Sequence, residues 1–194
     1  MFSMLFLYGF LIAAASLAVV YAIFKLAGVV RVYGKFRGRR LVSCPEDRCS
    51  AAVRVAAGDA AAESLSGEPR LHLKACSHWP ERAGCAQECL AQIENDPQGC
   101  LVWNQVQQWY RGRSCAYCRQ PIDKIEWHDH RPAVVGPDQK TLQWDEIPAE
   151  KLPQVFQACL PVCWSCHMAE TFRREHPDKV VDRAADQERM SLYH

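Results

Sequence analysis

Charge is missing from the first 24 residues: no Lys, Arg, Asp or Glu occurs between Met1 and Phe24. A cleaved secretory signal carries basic residues ahead of its apolar core, so this pattern argues against one. Net charge is also nearly absent, with 23 basic residues against 22 acidic and a formal value of +1. That balance removes the case for general nucleic-acid binding, which needs a basic surface. Glycine, at 10 of 194 residues, excludes a collagen, and a hydrophobic content of 49% excludes a disordered tail protein. A single long apolar run excludes a multi-span transporter. No internal repeat and no low-complexity linker divides the rest. What the chain has in excess is cysteine, 11 residues in all.

The apolar run Leu5–Phe24 reads LFLYGFLIAAASLAVVYAIF. About 20 such residues, at roughly 1.5 Å rise each, span a hydrocarbon layer of about 30 Å. A helix satisfies its own backbone there, so a retained membrane helix is expected over residues 1–30. Six cations follow it: Lys25, Arg31, Lys35, Arg37, Arg39 and Arg40. Cations flanking a span stay on the cytoplasmic side, which places the soluble part in the cytoplasm of a single-pass protein of the bacterial inner membrane. The same six residues, in a basic segment over 31–43, are candidates to touch anionic lipid, at about 1 kcal/mol each. A reducing compartment disfavours disulfides and turns clustered thiols toward metal.

The soluble part divides into a cysteine-rich segment 44–100, a two-knuckle segment 101–180 and a charged tail 181–194. Residues 41–100 carry five basic side chains against nine acids, and residues 101–194 twelve against thirteen, so neither is a basic surface. Alternation predicts strands over Ala51–Ala57 and Arg70–Ala75 around a helical turn at Gly58–Ser64. Helices are predicted over Ala86–Ile93, Leu101–Gly112 and Cys166–His176, stopped by Pro97–Gly99, Gly112 and Pro177. The fold class is therefore α+β, an N-terminal helix followed by a small metal-stabilised domain.

Two knuckles dominate the second segment: CAYC (Cys115–Cys118) and CWSC (Cys163–Cys166). Two thiolates three residues apart bind one edge of a tetrahedral metal, and a second pair closes the site. Zinc on Cys115, Cys118, Cys163 and Cys166 is expected, with a long loop returning the chain. Cys159 has no partner at that spacing and fits a core thiol. CWSCH (Cys163–His167) is also the attachment pattern of c-type haem, with His167 on iron and Met168, Met190, His128 or His130 opposite. Such attachment takes place outside the cytoplasm, against the orientation above.

The first cluster offers Cys44, Cys49, Cys76, Cys85, Cys89 and Cys100. Cys44 opens the turn CPEDRC, Cys76 ends a predicted strand, and Cys85 and Cys89 share one helical face. A second zinc on Cys44, Cys76, Cys85 and Cys89 is the resulting expectation, with Cys49 the first substitute and His78 a further donor. An iron–sulfur cluster needs the same four thiolates.

The order CAYC, HDHRP (His128–Pro132), CWSCH is similar to the treble-clef zinc finger of the HNH endonuclease superfamily. The resemblance covers Cys115 to about Phe172. It implies a treble-clef or zinc-ribbon-like fold, with Asp129 and His130 matching the family's general-base pair and His167 its catalytic or metal-binding position. The family's central Asn is missing and the charge is not basic, so fold is implied more than cleavage. Across nearly the full chain, the helix, CPE, CSHWPERAGCAQECLAQI, CAYC, WHDHRP and PVCWSCH with ETFRREHP together resemble an uncharacterised family of cysteine-rich, membrane-anchored bacterial proteins. That resemblance implies architecture rather than activity.

Neither cluster presents a nucleophile–base pair or a three-ligand, water-bearing site, so no enzymatic activity is expected. A membrane-tethered, zinc-folded scaffold or accessory protein follows, with lipid and another protein as partners and no nucleic acid. Trp103, Trp109, Trp127, Trp144 and Trp164 are candidates for the protein-binding surface. Membrane-anchored electron transfer, through haem or an iron–sulfur cluster, is the alternative.

Overall fold

The computed structural model describes residues 2–122, 125 and 130–179. It is mixed helix and strand, and it resolves into two compact units, Met1–Gln105 and Val106–His194.

Helix α1 (Phe2–Phe36) leads the first unit. Its segment Tyr8–Phe36 is long and apolar enough to cross a membrane, and its side chains from Tyr8 to Phe24 are all exposed. From Lys25 onward one face becomes covered. Lys25, Gly28, Val29 and Val32 are half-buried and Phe36 is buried, at the spacing of successive helical turns. Val32 and Phe36 pack into the apolar core of the unit. The basic segment expected as a separate piece is thus divided between the end of α1 and the strand that follows.

The helix ends at Gly38, whose φ of +102° suits glycine and where a Cβ would meet Leu101 Cδ1 at 2.8 Å. Arg40 completes the stop. Its guanidinium donates to Lys35 O at 2.6 Å and to Arg37 O at 3.4 Å, two carbonyls at the helix end, and also to Pro97 O. Arg40 is fully buried, which corrects its expected place at the lipid surface; burial also lowers its affinity for its proton. Arg31, Lys35, Arg37 and Arg39 remain exposed.

Strands β1 (Arg39–Ser43), β2 (Ser50–Val55) and β3 (Leu73–Cys76) form an antiparallel sheet in that order. In β2, Ala51, Val53 and Val55 point inward while Arg54 points out, the period-2 pattern of a half-buried strand. Helix α2 (Ala57–Glu63) lays Ala57, Ala60 and Ala61 against the core, and helix α3 (Leu90–Asn95) adds Ile93. Small alanines let α2 lie close. Each large buried aliphatic contributes roughly 1.5–3 kcal/mol. The helix expected from Ala86 begins later, at Leu90.

The division between units falls within helix α4 (Val102–Tyr110). In the second unit, strand β4 (Ala133–Val135) is central, flanked antiparallel by β5 (Thr141–Gln143) and β6 (Leu160–Val162). All three residues of β4 are buried, so it shows no alternation. Helix α5 (Leu152–Ala158) and helix α6 (Trp164–Glu175) flank β6 in sequence. Tyr110 Oη donates to Ala133 O at 2.5 Å and accepts Trp144 Nε1–H at 3.0 Å, while Trp109 Nε1 donates to Phe156 O at 3.1 Å. Trp109 is therefore buried rather than a surface anchor, and Trp144 joins the same aromatic cluster. Trp103 is 42% exposed, whereas Trp127 lies outside the described residues.

Candidate metal centre

The first knuckle sits on a tight hairpin. Ser114 and Pro121 form an antiparallel bridge, Cys115 N donates to Gln120 O at 2.9 Å, and Arg119, with φ of +64°, turns the chain. Ala116 N donates to Pro161 O at 2.8 Å, tying this hairpin to β6. Two residues later, β6 delivers Cys163 in extended conformation (φ −72°, ψ 158°) at the N-cap of α6, and the first turn of the helix places Cys166. The 44 residues between the knuckles include a three-stranded sheet that returns the chain to its start.

The four sulfurs of Cys115, Cys118, Cys163 and Cys166 lie within 4.8 Å of one another. Cys118 Sγ and Cys163 Sγ are 3.8 Å apart. A tetrahedral ion with bonds of about 2.3 Å to sulfur sets its ligand atoms about 3.8 Å apart. The residues therefore fit a tetrahedral metal. Cys115 is fully buried; its sulfur accepts Cys163 N–H at 3.3 Å, and the amides of Cys118 and Tyr117 also point to it. Burial alone would push this thiol up, but those donors bring it down to about 7. Burial and neighbouring thiols drive Cys166 the other way, and Cys163 is raised by burial too. One thiolate is stabilised while its neighbours resist ionising beside it, the condition that a bound divalent cation relieves.

His167, in the first turn of α6, is buried. Its Nδ1 lies 2.9 Å from Thr141 Oγ1 and its Nε2 3.1 Å from Gln143 Nε2. Both ring nitrogens are engaged, so axial bonding to haem iron would break one of these contacts. His130 packs edge-on against Trp164, ring centroids 4.5 Å apart. His128, Asp129 and Met190 lie outside the described residues, as does the tail 181–194. Cys159, half-buried near Gly136, does not join the quartet.

The first cluster assembles differently from the expected set. Cys44 groups with Asp47 and His78, their ligating atoms within 4.8 Å of one another, while Cys76, Cys85 and Cys44 lie near enough to Cys89 to act on its thiol. Cys49 Sγ is 3.7 Å from His78 Nε2. Burial raises Cys76 and takes Cys89 up to about 11, with the other thiols of the cluster adding to both. Asp47 is the residue that sequence reasoning missed, and its place between two cysteines in CPEDRC was the available signal.

No protein-family model, curated protein or solved structure matches the chain.

Proposed function

We propose that the protein is a membrane-tethered, zinc-binding scaffold or accessory protein whose Val106–His194 unit is folded around a closed four-thiolate site. The observation that carries this proposal is the quartet of sulfurs at tetrahedral spacing. Four thiolates leave no open position for water or substrate, the mark of a structural rather than a catalytic site. Zinc suits the set because a d10 ion tolerates any tetrahedral geometry and favours thiolate. Membrane tethering is supported by α1, whose apolar side chains are bare from Tyr8 to Phe24 and would be untenable in water. The cytoplasmic side is supported by the cations at Lys25, Arg31, Lys35, Arg37 and Arg39. The resemblance to HNH-type fingers and to membrane-anchored cysteine-rich bacterial proteins enters here as fold and architecture only.

Two measurements test this reading. Elemental analysis of the full chain extracted from its membrane should give zinc and no iron; covalent haem absorbance or a brown iron–sulfur chromophore would replace scaffold with electron transfer. A fluorescent reporter fused after His194 should light up, and alkaline phosphatase at the same point should stay inactive. Active phosphatase would put the domain outside the cytoplasm.

A further inference from the structure

The hairpin between β1 and β2 is CPEDRC. It is closed by Cys44 N donating to Cys49 O at 2.7 Å, with Arg48 at φ +52° completing the turn. Cys44 and Cys49 are thus paired across its mouth through the backbone. The pairing of β2 with β3 continues past Cys76: Ser77 N donates to Ala52 O at 2.8 Å, and Ala52 N donates to Ser77 Oγ at 3.0 Å. One residue further along that register His78 falls opposite Ala51, and from there its ring reaches Cys49, two residues on and just before β2. The same register leaves Cys76 next to His78, whose backbone N–H points at the Cys76 sulfur.

The imidazole is set as a metal ligand would be. Its Nε2 is 3.7 Å from Cys49 Sγ. Bonds of about 2.0 Å to nitrogen and 2.3 Å to sulfur at a tetrahedral ion place those atoms roughly 3.5 Å apart. Its Nδ1 is buried without a hydrogen bond, and Asp47 Oδ2 lies 3.5 Å away. Arg82 holds the other oxygen of that carboxylate at 2.7 Å. A carboxylate behind the far ring nitrogen is the arrangement that orients a metal-bound histidine.

We infer that Cys44, Cys49 and His78, with Cys76 as the fourth donor and Asp47 orienting the imidazole, form a second, mixed sulfur–nitrogen site for a divalent ion of zinc type. It replaces the all-cysteine set that includes Cys85 and Cys89, and it is independent of the quartet in the other unit. The donor set is closed but softer in charge than the quartet, with one neutral ligand in place of a thiolate.

The test uses the full chain in detergent, loaded with zinc or with cobalt(II). The intact protein should hold about two zinc per chain. His78→Ala and Cys49→Ser should each hold about one, whereas Cys85→Ser should hold about two. Asp47→Asn, which removes no ligand, should retain the fold and weaken the second ion roughly 10–100-fold. In the cobalt protein, His78→Ala should remove one of two sets of tetrahedral bands and leave the quartet's set. Undiminished zinc in His78→Ala, or loss of zinc in Cys85→Ser with His78→Ala unaffected, would overturn the inference. Failure of the quartet instead shows as one ion that is lost in His78→Ala and kept in Cys118→Ser, so the two sites are judged separately.

Discussion

In the unit Met1–Gln105 the cysteines join a core that aliphatic residues dominate: Cys89 is buried in it, and Cys44, Cys76 and Cys100 pack against it. Three strands, α2, α3 and the end of α1 close on Val42, Val53, Val55, Leu73 and Ile93, and CPEDRC is the hairpin between β1 and β2. In Val106–His194 four thiols come together where the knuckle hairpin meets β6. Cys115 is fully buried and takes the Cys163 amide, the hairpin that carries it hydrogen-bonds to β6, and each strand is three residues long. Such short ladders contribute little alone. The same residue type thus joins an aliphatic core in one unit and converges as a quartet in the other, and counting cysteines cannot tell the two roles apart.

The largest test of that contrast is Cys118→Ser. With zinc bound as proposed, removing one of its four ligands should cost on the order of several kcal/mol, lost from the second unit alone. Amide exchange should accelerate through β4, β6 and α6 while β1–β3 stay protected. Uniform protection in both units would show that the quartet is not structural. The converse variant is Ile93→Ala, at a fully buried position of the first unit, with an expected loss of roughly 2–5 kcal/mol. Exchange should then rise in β1–β3 with metal content at the quartet unchanged; metal loss would couple the units that the comparison separates.

A smaller effect is expected at Arg40. Arg40→Met keeps the volume but strips the donors from Lys35 O and Pro97 O, a change of about 1–3 kcal/mol confined to the first unit. Denaturant midpoints followed by a probe in each unit would measure it. No larger is Tyr110→Phe, which leaves Ala133 O and Trp144 Nε1–H without their shared partner, at roughly 1–3 kcal/mol in the second unit. A loss as large as that of Cys118→Ser would mean that the aromatic cluster, not the thiolate site, holds this unit.

Much of this arrangement is readable in the chain. The charge-free run announced α1, and the stripe Val102, Val106 and Trp109 announced α4. The spacing of CAYC and CWSC selected the four cysteines that do come together. Strand β1 was hidden because Arg39 and Arg40 look like the tail of a basic segment, although one of them is buried. Strands of three residues, β4 to β6, are too short for alternation to register. The first cluster was only half legible for a different reason. Cys85 and Cys89 are close in sequence, which pattern favours, whereas Cys49 meets His78 through strand register across 29 positions.

The covered face of α1 has a mechanical consequence. One unbroken helix carries the exposed apolar stretch and, from Lys25 to Phe36, about 16 Å further on, the side chains that lock into the sheet. No swivel separates them. The first unit therefore shares the rotational phase of the proposed span, and the azimuth at which its cysteine hairpin looks out is set by residues far up the helix. A single alanine inserted after Val30 would turn the upstream helix by about 100° against the sheet, so that Lys25 and Val29 no longer share a face with Val32 and Phe36. Such an insertion leaves every thiol in place and alters only the direction in which the anchor points it.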